Sequence, residues 1–308
     1  MFERKRKNYL CDSEEIKKSL EELFGVGKTI GIKYYRASIS RYSGELFKEA
    51  WVYEGKKWKK EKNVKPDIIF DRSPYSYSDS RIKEKMASKF TFANDLVFDH
   101  IFNSKFSSYL VFKEWMPETR IAYSFDQLKD NLKFIKTSEV VIKPDVGSGG
   151  RGVEIINKKD VDNIKINKYP VVIQEFIDSS SGIKGLVNGI HDLRIIFLNQ
   201  KPILSYVRQP KSGYVANYCR GGIKRAVSFN KIPKSLRLEL KKITAKLKSF
   251  NDIFYSVDFF FDKNQKFYII EINPSPGLRV IEDDVRQIYY KKLSDYIIKM
   301  KLFKNNNE

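Results

Sequence analysis

Two apolar stretches near the C-terminal end of the sequence flank a short polar turn, and they restrict the possible folds more than any other feature. Residues 255–261 and 267–272 are rich in β-branched and aromatic side chains, which favour strands, and the polar residues 262–266 favour a turn. In a hairpin that is symmetric about the pair Asn264 and Gln265, Asp258 lies directly opposite Glu271. The sequence therefore predicts two carboxylates side by side on an apolar hairpin.

Such a pair of carboxylates needs a partner. Two acids held together in apolar surroundings repel each other and lose hydration, so they either bind a proton strongly or share a cation. Asn273 lies on the same face as Glu271, while Ile270 and Ile272 on the opposite face predict a core beneath the hairpin. Oxygen ligands with an amide nearby suit Mg²⁺, which often bridges to substrate phosphates. The alternative is a water-screened acidic pair on an exposed sheet.

A glycine-rich loop is the second informative segment. The β-branched residues 140–142 lead into Lys143, and four glycines follow within residues 147–152. Glycine lets the backbone approach phosphates closely, and successive N–H groups can line an anion-binding concavity. The next strand begins at Val153, which predicts a strand–loop–strand flap and not the strand–loop–helix of dinucleotide-binding folds. An ordinary hairpin turn is the alternative, and Lys143 favours a role in phosphate binding.

A second glycine motif, residues 25–29, resembles the end of a phosphate-binding P-loop. The first glycine of that motif is missing, because position 22 is Glu. A P-loop also follows a strand, whereas residues 14–24 have the pattern of an amphipathic helix. We therefore interpret Gly25 and Gly27 as helix-ending residues before a strand at residues 29–32.

Composition and charge narrow the function classes. The 308 residues are 42% hydrophobic and 14% aromatic, as in a folded globular protein. The formal charge of +20 fits either a solvated, lysine-rich surface or attraction for an anion.

Nucleic acid is not an expected partner, because no nucleic-acid-binding motif is recognisable. No apolar run approaches the roughly 20 residues of a transmembrane helix. Two cysteines exclude a disulfide framework, and the basic start lacks the apolar core of a signal peptide, so we expect a cytoplasmic location.

The order of the elements predicts an α+β fold with antiparallel sheets. Helical patterns are expected at residues 81–103, 234–250 and 284–301. Strands are expected at residues 140–142, 171–173, 193–198, 203–207, 255–261 and 267–272.

In this order the elements resemble the ATP-grasp superfamily, in particular its glutathione synthetase and RimK-type ligase branch, over about residues 92–301. Spore-coat-associated ATP-grasp proteins share the same broad pattern. The resemblance implies an ATP-grasp domain at residues 91–303, in which two α+β subdomains clasp ATP and a flap subdomain covers about residues 120–178. A small α/β domain at residues 1–90 precedes it, and residues 304–308 form a frayed tail.

The resemblance also implies roles for individual residues. The nucleotide-binding positions are two lysines, the flap and the adenine hinge: Lys105, Lys143, Gly147, Ser148, Gly149, Gly150, Gln174, Glu175, Phe176, Ile177 and Asp178. The catalytic positions near the transferred phosphate are Arg194, Arg208 and Asn217. Asp192, two residues before Arg194 on the same strand face, could instead be the structural partner of Arg194. The metal ligands are Asp258, Glu271 and Asn273, where the hairpin argument already places a cation.

The implied reaction is ATP-dependent carboxylate–amine ligation through an acyl phosphate. The implied cofactors are ATP and Mg²⁺; two ions are expected, and Mn²⁺ is an acceptable substitute. The partners are a small-molecule or peptide carboxylate and an amine or amino acid, and the positive charge favours an acidic acceptor. A homodimer or tetramer is compatible with the sequence. Arg72 could meet a substrate carboxylate or form a structural salt bridge.

Two alternatives belong to other function classes. An ATP-grasp phosphotransferase would leave a phosphorylated product and release no free phosphate. A basic protein that binds nucleic acid or the cell envelope would carry a degenerate nucleotide fold.

Overall fold

The computed structural model describes residues 13–73, 77–211, 213, 222–278 and 283–305. Contacts between residues divide the chain into two compact units. The first unit comprises Met1–Leu96, Asn251–Phe254 and Ser275–Glu308, and the second comprises Val97–Phe250 and Tyr255–Pro274. The predicted domain boundary between residues 90 and 91 stays a prediction.

Helices and strands alternate along the described residues, which confirms the α+β class. In chain order they are α1 (Glu14–Thr29), β1 (Phe47–Glu54), β2 (Lys57–Val64), β3 (Ile68–Phe70), α2 (Tyr77–Ala87), β4 (Thr91–Ala93), α3 (Leu96–Phe102), α4 (Lys105–Phe112), β5 (Thr119–Ala122), α5 (Phe125–Leu132), β6 (Glu139–Pro144), β7 (Glu154–Asn157), β8 (Val171–Glu175), β9 (Asp192–Leu198), β10 (Lys201–Gln209), β11 (Ile223–Ala226), α6 (Lys234–Ala245), β12 (Phe254–Phe261), β13 (Phe267–Asn273) and α7 (Asp283–Asn305). None of the helices in the described part of the chain is long and apolar enough to cross a membrane.

The first unit pairs β1 with β2 in an antiparallel hairpin and β3 with β4 in parallel. Helix α1 begins at Ser13, whose hydroxyl accepts a hydrogen bond from the backbone N–H of Ile16. Glu22 of α1 accepts two hydrogen bonds from the guanidinium of Arg286 in α7, which ties the two helices together. Of the predicted tail, residues 306–308 lie outside the described residues.

Two expectations for the first unit were wrong. Gly25 and Gly27 lie inside α1, and residues 29–32 form no strand. A Cβ atom on Gly27 would lie 2.3 Å from the ring of Tyr34, so the glycine permits a close approach of that ring. The helix predicted at residues 81–103 is interrupted by β4, because residues 91–93 pair with β3. Asn94 follows with a positive φ of 102°, which ends this strand.

The second unit contains two sheets, which place the candidate site residues. The four-stranded sheet has the order β5-β8-β6-β7, and the five-stranded sheet has the order β11-β10-β9-β12-β13. Leu128 and Leu132 of α5 pack with Val140, Ile142 and other apolar residues of the first sheet in one buried core. The six strands predicted between residues 140 and 272 are all present in this unit.

The register of the β12–β13 hairpin confirms the predicted opposition of two acids. Asp258 lies directly opposite Glu271. The hairpin is not symmetric, however, because the register shifts between Asp258 and Phe259, and Phe259 lies opposite Ile269. The buried residues of β13 are consequently Ile269 and Ile272, while Ile270 is half-buried. The prediction that Ile270 lies on the core face was therefore wrong.

Candidate active site

Lys143 lies at the end of β6 with only 6% of its surface exposed. Its ammonium donates to Oε1 of Gln174 at 3.0 Å and to the backbone carbonyl of Ile270 at 3.4 Å. Burial and the nearby charge of Lys105 together lower the pKa of Lys143 to about 8, although the charge of Glu271 acts in the opposite direction. The site therefore holds an ammonium with too little negative charge around it, as expected of a position that receives an anion.

Gln174 has a role that the sequence interpretation missed. Its side-chain amide accepts from Lys143 and donates through Nε2 to the hydroxyl of Thr119 at 2.9 Å. That hydroxyl in turn donates to the carbonyl of Pro117. The side chain of Gln174 thus holds Lys143 in place. The prediction for Gln174 concerned its backbone near adenine, and that role stays a prediction.

Lys105 lies in the first turn of α4, close to the base of the glycine loop. Its ammonium donates to the carbonyls of Gly147 at 2.9 Å and Asp145 at 3.3 Å. The carboxylate of Glu271 lies 3.6 Å away. The structure therefore brings together Lys105, the flap and one predicted metal ligand.

Asp145 links the flap strand to α4 and was not among the predicted site residues. Its buried carboxylate accepts from the hydroxyl of Ser104 at 3.1 Å and from the backbone N–H of Phe106 at 2.8 Å. The backbone N–H of Lys105 donates to the carbonyl of Asp145. Asp145 therefore caps the first turn of α4. Its place between Lys143 and the glycines was the only sequence signal for this role.

The glycine loop connects β6 to β7, and these strands are antiparallel neighbours. The predicted strand–loop–strand arrangement is therefore confirmed. Gly149 and Gly150 have positive φ values of 76° and 66°, a backbone region that glycine enters without strain. Gly147 and Ser148 are exposed. This loop presents backbone N–H groups with little side-chain bulk, which is compatible with the predicted phosphate contacts.

The hinge residues 174–178 follow directly from β8. The carboxylate of Glu175 accepts from the backbone N–H groups of Glu118 at 3.3 Å and Lys136 at 3.2 Å, so its side chain is engaged within the protein. The carboxylate of Asp178 is exposed and accepts from the backbone N–H of Ser180. Phe176 and Ile177 are half-buried. The nucleotide roles of these hinge residues stay predictions.

Arg194, Arg208, Asp192 and Asp258 form one buried charge network. Arg194 donates through Nε and Nη2 to both oxygens of Asp258, at 2.6 and 2.5 Å. Arg208 donates through Nε and Nη2 to both oxygens of Asp192, also at 2.6 and 2.5 Å. Nη2 of Arg208 further donates to Asp258 at 2.7 Å. The network joins the predicted phosphate-binding arginines to a predicted metal ligand.

The pKa values of the two acids are shifted in opposite directions from their ordinary value, although burial raises both and the guanidiniums lower both. Burial raises the pKa of Asp192 to about 6, although the guanidinium of Arg208 opposes the rise. Burial acts in the same way on Asp258, but two guanidiniums outweigh it and hold the pKa of that carboxyl below its usual value. Both acids are therefore ionised at pH 7. The network of two arginines and two aspartates is electrically balanced.

Asp192 pairs differently from what the sequence suggested. Its position two residues before Arg194 indicated Arg194 as its structural partner, since both lie on one face of β9. In the structure its partner is Arg208, the residue directly opposite on β10. Arg194 reaches across to Asp258 instead. The interpretation of Asp192 as the partner of Arg194 was therefore wrong.

The predicted metal ligands fit a hard divalent cation by their chemistry. Asp258 and Glu271 are opposed, and Asn273 lies opposite Ser256, whose buried hydroxyl has no hydrogen-bond partner among the described residues. These oxygens match the preference of Mg²⁺. No group of three or more His, Cys, Asp or Glu side chains that could hold a metal occurs in the described ranges. A metal here would therefore rely on Asn273, water or substrate oxygens for its remaining ligands.

Two further residues had suggested roles in the sequence, Asn217 and Arg72. Asn217 lies outside the described residues. Arg72 belongs to the first unit, where its guanidinium donates to the carbonyl of Pro276 and lies over the rings of Phe70 and Phe254, at 5.3 and 5.7 Å. Both suggested roles of Arg72 stay predictions.

Comparison with known proteins gives the site its context. A family model described as a RimK-like ATP-grasp domain matches residues 105–297. The probable alpha-L-glutamate ligase of Legionella pneumophila (strain Corby) is 27% identical over 190 residues, which cover 60% of this chain and 58% of that ligase. This chain thus spans little more than half the length of the curated relatives that it matches.

Solved structures with low sequence identity share the fold. The D-cycloserine synthetase DcsG has a TM-score of 0.60 at 12% identity, covering 91% of this chain and 95% of that chain. The ATP-grasp ligase PsnB, solved with a minimal precursor, Mg and ADP, has a TM-score of 0.58 at 12% identity, covering 96% and 100%. These likenesses show the ATP-grasp fold, and the family match extends over more than half of the chain. The chain therefore belongs to the RimK-like ATP-grasp family.

Proposed function

We propose that this chain is an ATP-dependent carboxylate–amine ligase, which phosphorylates a carboxylate and then joins an amine to it. The observation that carries the proposal is the arrangement of charges in the second unit. The ammonium of Lys105 contacts the flap base, Lys143 contacts the bulged strand β13, and the two arginines hold Asp258. Four cations and the opposed acids are thus built on strands of the two sheets and on one helix end.

The two lysines are suited to hold the phosphates of ATP. Lys143 is buried and its pKa is lowered to about 8, so a polyanion that binds beside it relieves an unfavourable charge. Lys105 is held by carbonyl oxygens of the flap base, so its ammonium stays where the glycine loop begins. When the loop closes over the nucleotide, it excludes water that would otherwise hydrolyse an activated intermediate.

The arginines are suited to stabilise the transferred phosphoryl group. Both use Nε and Nη2 for carboxylates, and Nη1 of each has no hydrogen-bond partner among the described residues. Those N–H groups remain for oxygens that gain charge during transfer, and one well-placed donor of this kind contributes about 3 kcal/mol. Asp258, Glu271 and Asn273 would hold Mg²⁺, which supplies charge neutralisation at phosphate oxygens when bound.

The reaction follows from these contacts. An oxygen of the substrate carboxylate attacks the γ-phosphorus, the bond from that phosphorus to the β,γ-bridging oxygen breaks, and ADP leaves. The amine nitrogen then attacks the carbonyl carbon, the carbon–oxygen bond to phosphate breaks, and the amine proton passes to solvent. No covalent enzyme intermediate is needed, so the protein contributes positioning and electrostatic stabilisation.

We further propose that the amine belongs to an amino acid and that the acceptor is an acidic small molecule or peptide. The name of the Legionella relative, a probable glutamate ligase, supports an amino-acid substrate. The formal charge of +20 supports an acidic acceptor, because a positive surface raises the local concentration of anions.

A screen for ADP and phosphate release over the amino acids, each combined with glutamate-containing peptides, tests this proposal. We expect release of both products only when an amino acid and an acceptor are present together. Glu271→Ala should lower that release by about 100-fold or more, because it removes a carboxylate that would hold Mg²⁺ beside the phosphates. Glu45→Ala is the matched control, since the side chain of Glu45 is 84% exposed.

Two outcomes would reject the ligase. ADP release without free phosphate, together with a phosphorylated product, would indicate a phosphotransferase. Absence of Mg–ATP binding by calorimetry, with no effect of Lys143→Ala, would indicate a degenerate nucleotide fold.

A further inference from the structure

The two arginines of the charge network differ in how many carboxylates they contact. Arg194 contacts Asp258 alone, whereas Arg208 contacts both Asp192 and Asp258. Asp192 and Arg208 are directly opposite each other on β9 and β10, so their pairing is a cross-strand contact fixed by the sheet register. Asp258 belongs to a third strand, β12. The position of Arg208 thus has a support that is independent of the predicted metal ligand.

This difference matters when Asp258 turns toward a cation. A carboxylate has about four acceptor positions, so Asp258, which already accepts three arginine hydrogen bonds, would offer a cation more than one position only if an arginine such as Arg194 released it. Arg194 would then lose its only carboxylate partner among the described residues. Arg208 would keep both hydrogen bonds to Asp192, and a bidentate pair fixes the plane of the guanidinium as well as its distance.

Asp192 itself is not placed to touch a substrate. Only 5% of its surface is exposed, and both of its oxygens already accept from Arg208. A buried carboxylate is unfavourable unless it is paired, so its presence needs a reason beyond filling space. Holding a buried arginine in one orientation is such a reason.

We infer that Asp192 is a positioning residue that holds Arg208 ready for the transferred phosphoryl group. This inference rests on the proposed function. Asp192 then acts through Arg208 and strengthens binding of the phosphoryl group during its transfer. It does not affect the binding of the nucleoside diphosphate.

The test compares the affinity for Mg–ADP with that for Mg–ADP plus fluoroaluminate, which imitates a phosphoryl group in transfer, by calorimetry on the full chain. Asp192→Asn removes the charge while keeping the shape. We expect it to weaken binding of the fluoroaluminate complex by about 10- to 100-fold, the usual effect of losing the residue that orients a functional group. Binding of Mg–ADP alone should change by less than about threefold, since Mg–ADP lacks the transferring phosphoryl group that we assign to Arg208.

A double variant separates positioning from general damage. If Asp192 acts through Arg208, Asp192→Asn combined with Arg208→Gln should bind fluoroaluminate as weakly as Arg208→Gln alone. If Asp192→Asn by itself does not fold, the double variant can still be compared with Arg208→Gln, because the double variant leaves no arginine at position 208 without its acid partner. Glu22→Gln breaks a bidentate acid–arginine pair in the first unit and should leave both affinities unchanged.

The possible results are distinguishable. Equal weakening of Mg–ADP and of the fluoroaluminate complex, or a double variant weaker than Arg208→Gln, would overturn the inference. Unchanged fluoroaluminate binding in Asp192→Asn would overturn it as well, with the ligase proposal intact. If the unaltered protein binds neither Mg–ADP nor its fluoroaluminate complex, the proposed function fails and this inference fails with it.

Discussion

Replacement of Lys143 by methionine should make the protein more stable while abolishing nucleotide binding. Burial lowers the pKa of Lys143 from 10.5 to about 8, and this difference corresponds to about 3 kcal/mol of unfavourable free energy at pH 7. Methionine has a similar length and no charge. It also loses the hydrogen bond to Gln174, which costs about 1 kcal/mol. The net expectation is a gain of about 2 kcal/mol, or about 3 °C in melting temperature for 308 residues.

The gain in stability from Lys143→Met depends on pH. The folded protein binds the Lys143 proton less tightly than the unfolded chain does, so the penalty is complete below pH 8 and declines as the pH rises toward 10.5. At pH 10 it amounts to about 1 kcal/mol, which is close to the value of the lost hydrogen bond. The stability difference between Lys143→Met and the unaltered protein should therefore almost vanish at pH 10.

Thermal unfolding followed by circular dichroism at pH 7 and pH 10 measures both quantities, and calorimetry with Mg–ATP measures the loss of binding. Lys83→Met is the matched control, because Lys83 is equally buried but lies 2.5 Å from the carboxylate of Asp71. That variant should lower the melting temperature, since it leaves a buried acid unpaired. A lower melting temperature for Lys143→Met at pH 7, or a gain of equal size at both pH values, would refute the reasoning.

Three further predictions concern the same unit. Asp145→Ala should weaken Mg–ATP binding by about tenfold and speed proteolysis of the glycine loop, because the cap that ties the loop to α4 is lost; unchanged affinity and cleavage would contradict this. Asp258→Asn should lower the free energy of unfolding by about 3–5 kcal/mol in urea denaturation, because it leaves guanidinium charge buried without its partner, and a neutral result would argue against the network. Gly152→Ala should cost about 1–3 kcal/mol, since φ is 69° and a Cβ atom would lie 3.0 Å from the ring of Pro144. Gly147→Ala, whose Cβ would have no neighbour closer than 3.8 Å, should cost less than about 1 kcal/mol in the same denaturation assay.

The sequence predicted the opposition of Asp258 and Glu271 because two apolar runs of similar length flank a compact turn. It did not predict the bulge. Ile269 and Ile270 are both apolar, so the pattern alone does not decide which of them is buried, and the packing of the sheet makes that choice. The same limit explains the helix expected at residues 81–103, where pairing of residues 91–93 with β3 overrides the helical pattern.

The charge pairs of the site were beyond prediction for a different reason. Which carboxylate Arg194 contacts depends on the strand order β10-β9-β12, and strand order is a property of the whole sheet. Spacing within β9 indicated Asp192 as the nearest acid, but the guanidinium reaches a neighbouring strand more easily than a residue two positions away on its own strand. Asp145 was missed because capping of a distant helix leaves no local pattern.

The bulge in β13 lies between the turn of the hairpin and the opposed acids Asp258 and Glu271. The pairs nearest the turn follow one register, and the pairs from Asp258 to Ser256 follow another. The irregular residue absorbs the mismatch between them, and the carbonyl of Ile270 faces the ammonium of Lys143. Substitutions or insertions in residues 262–266 can therefore change the shape of the turn without drawing the two acids out of alignment.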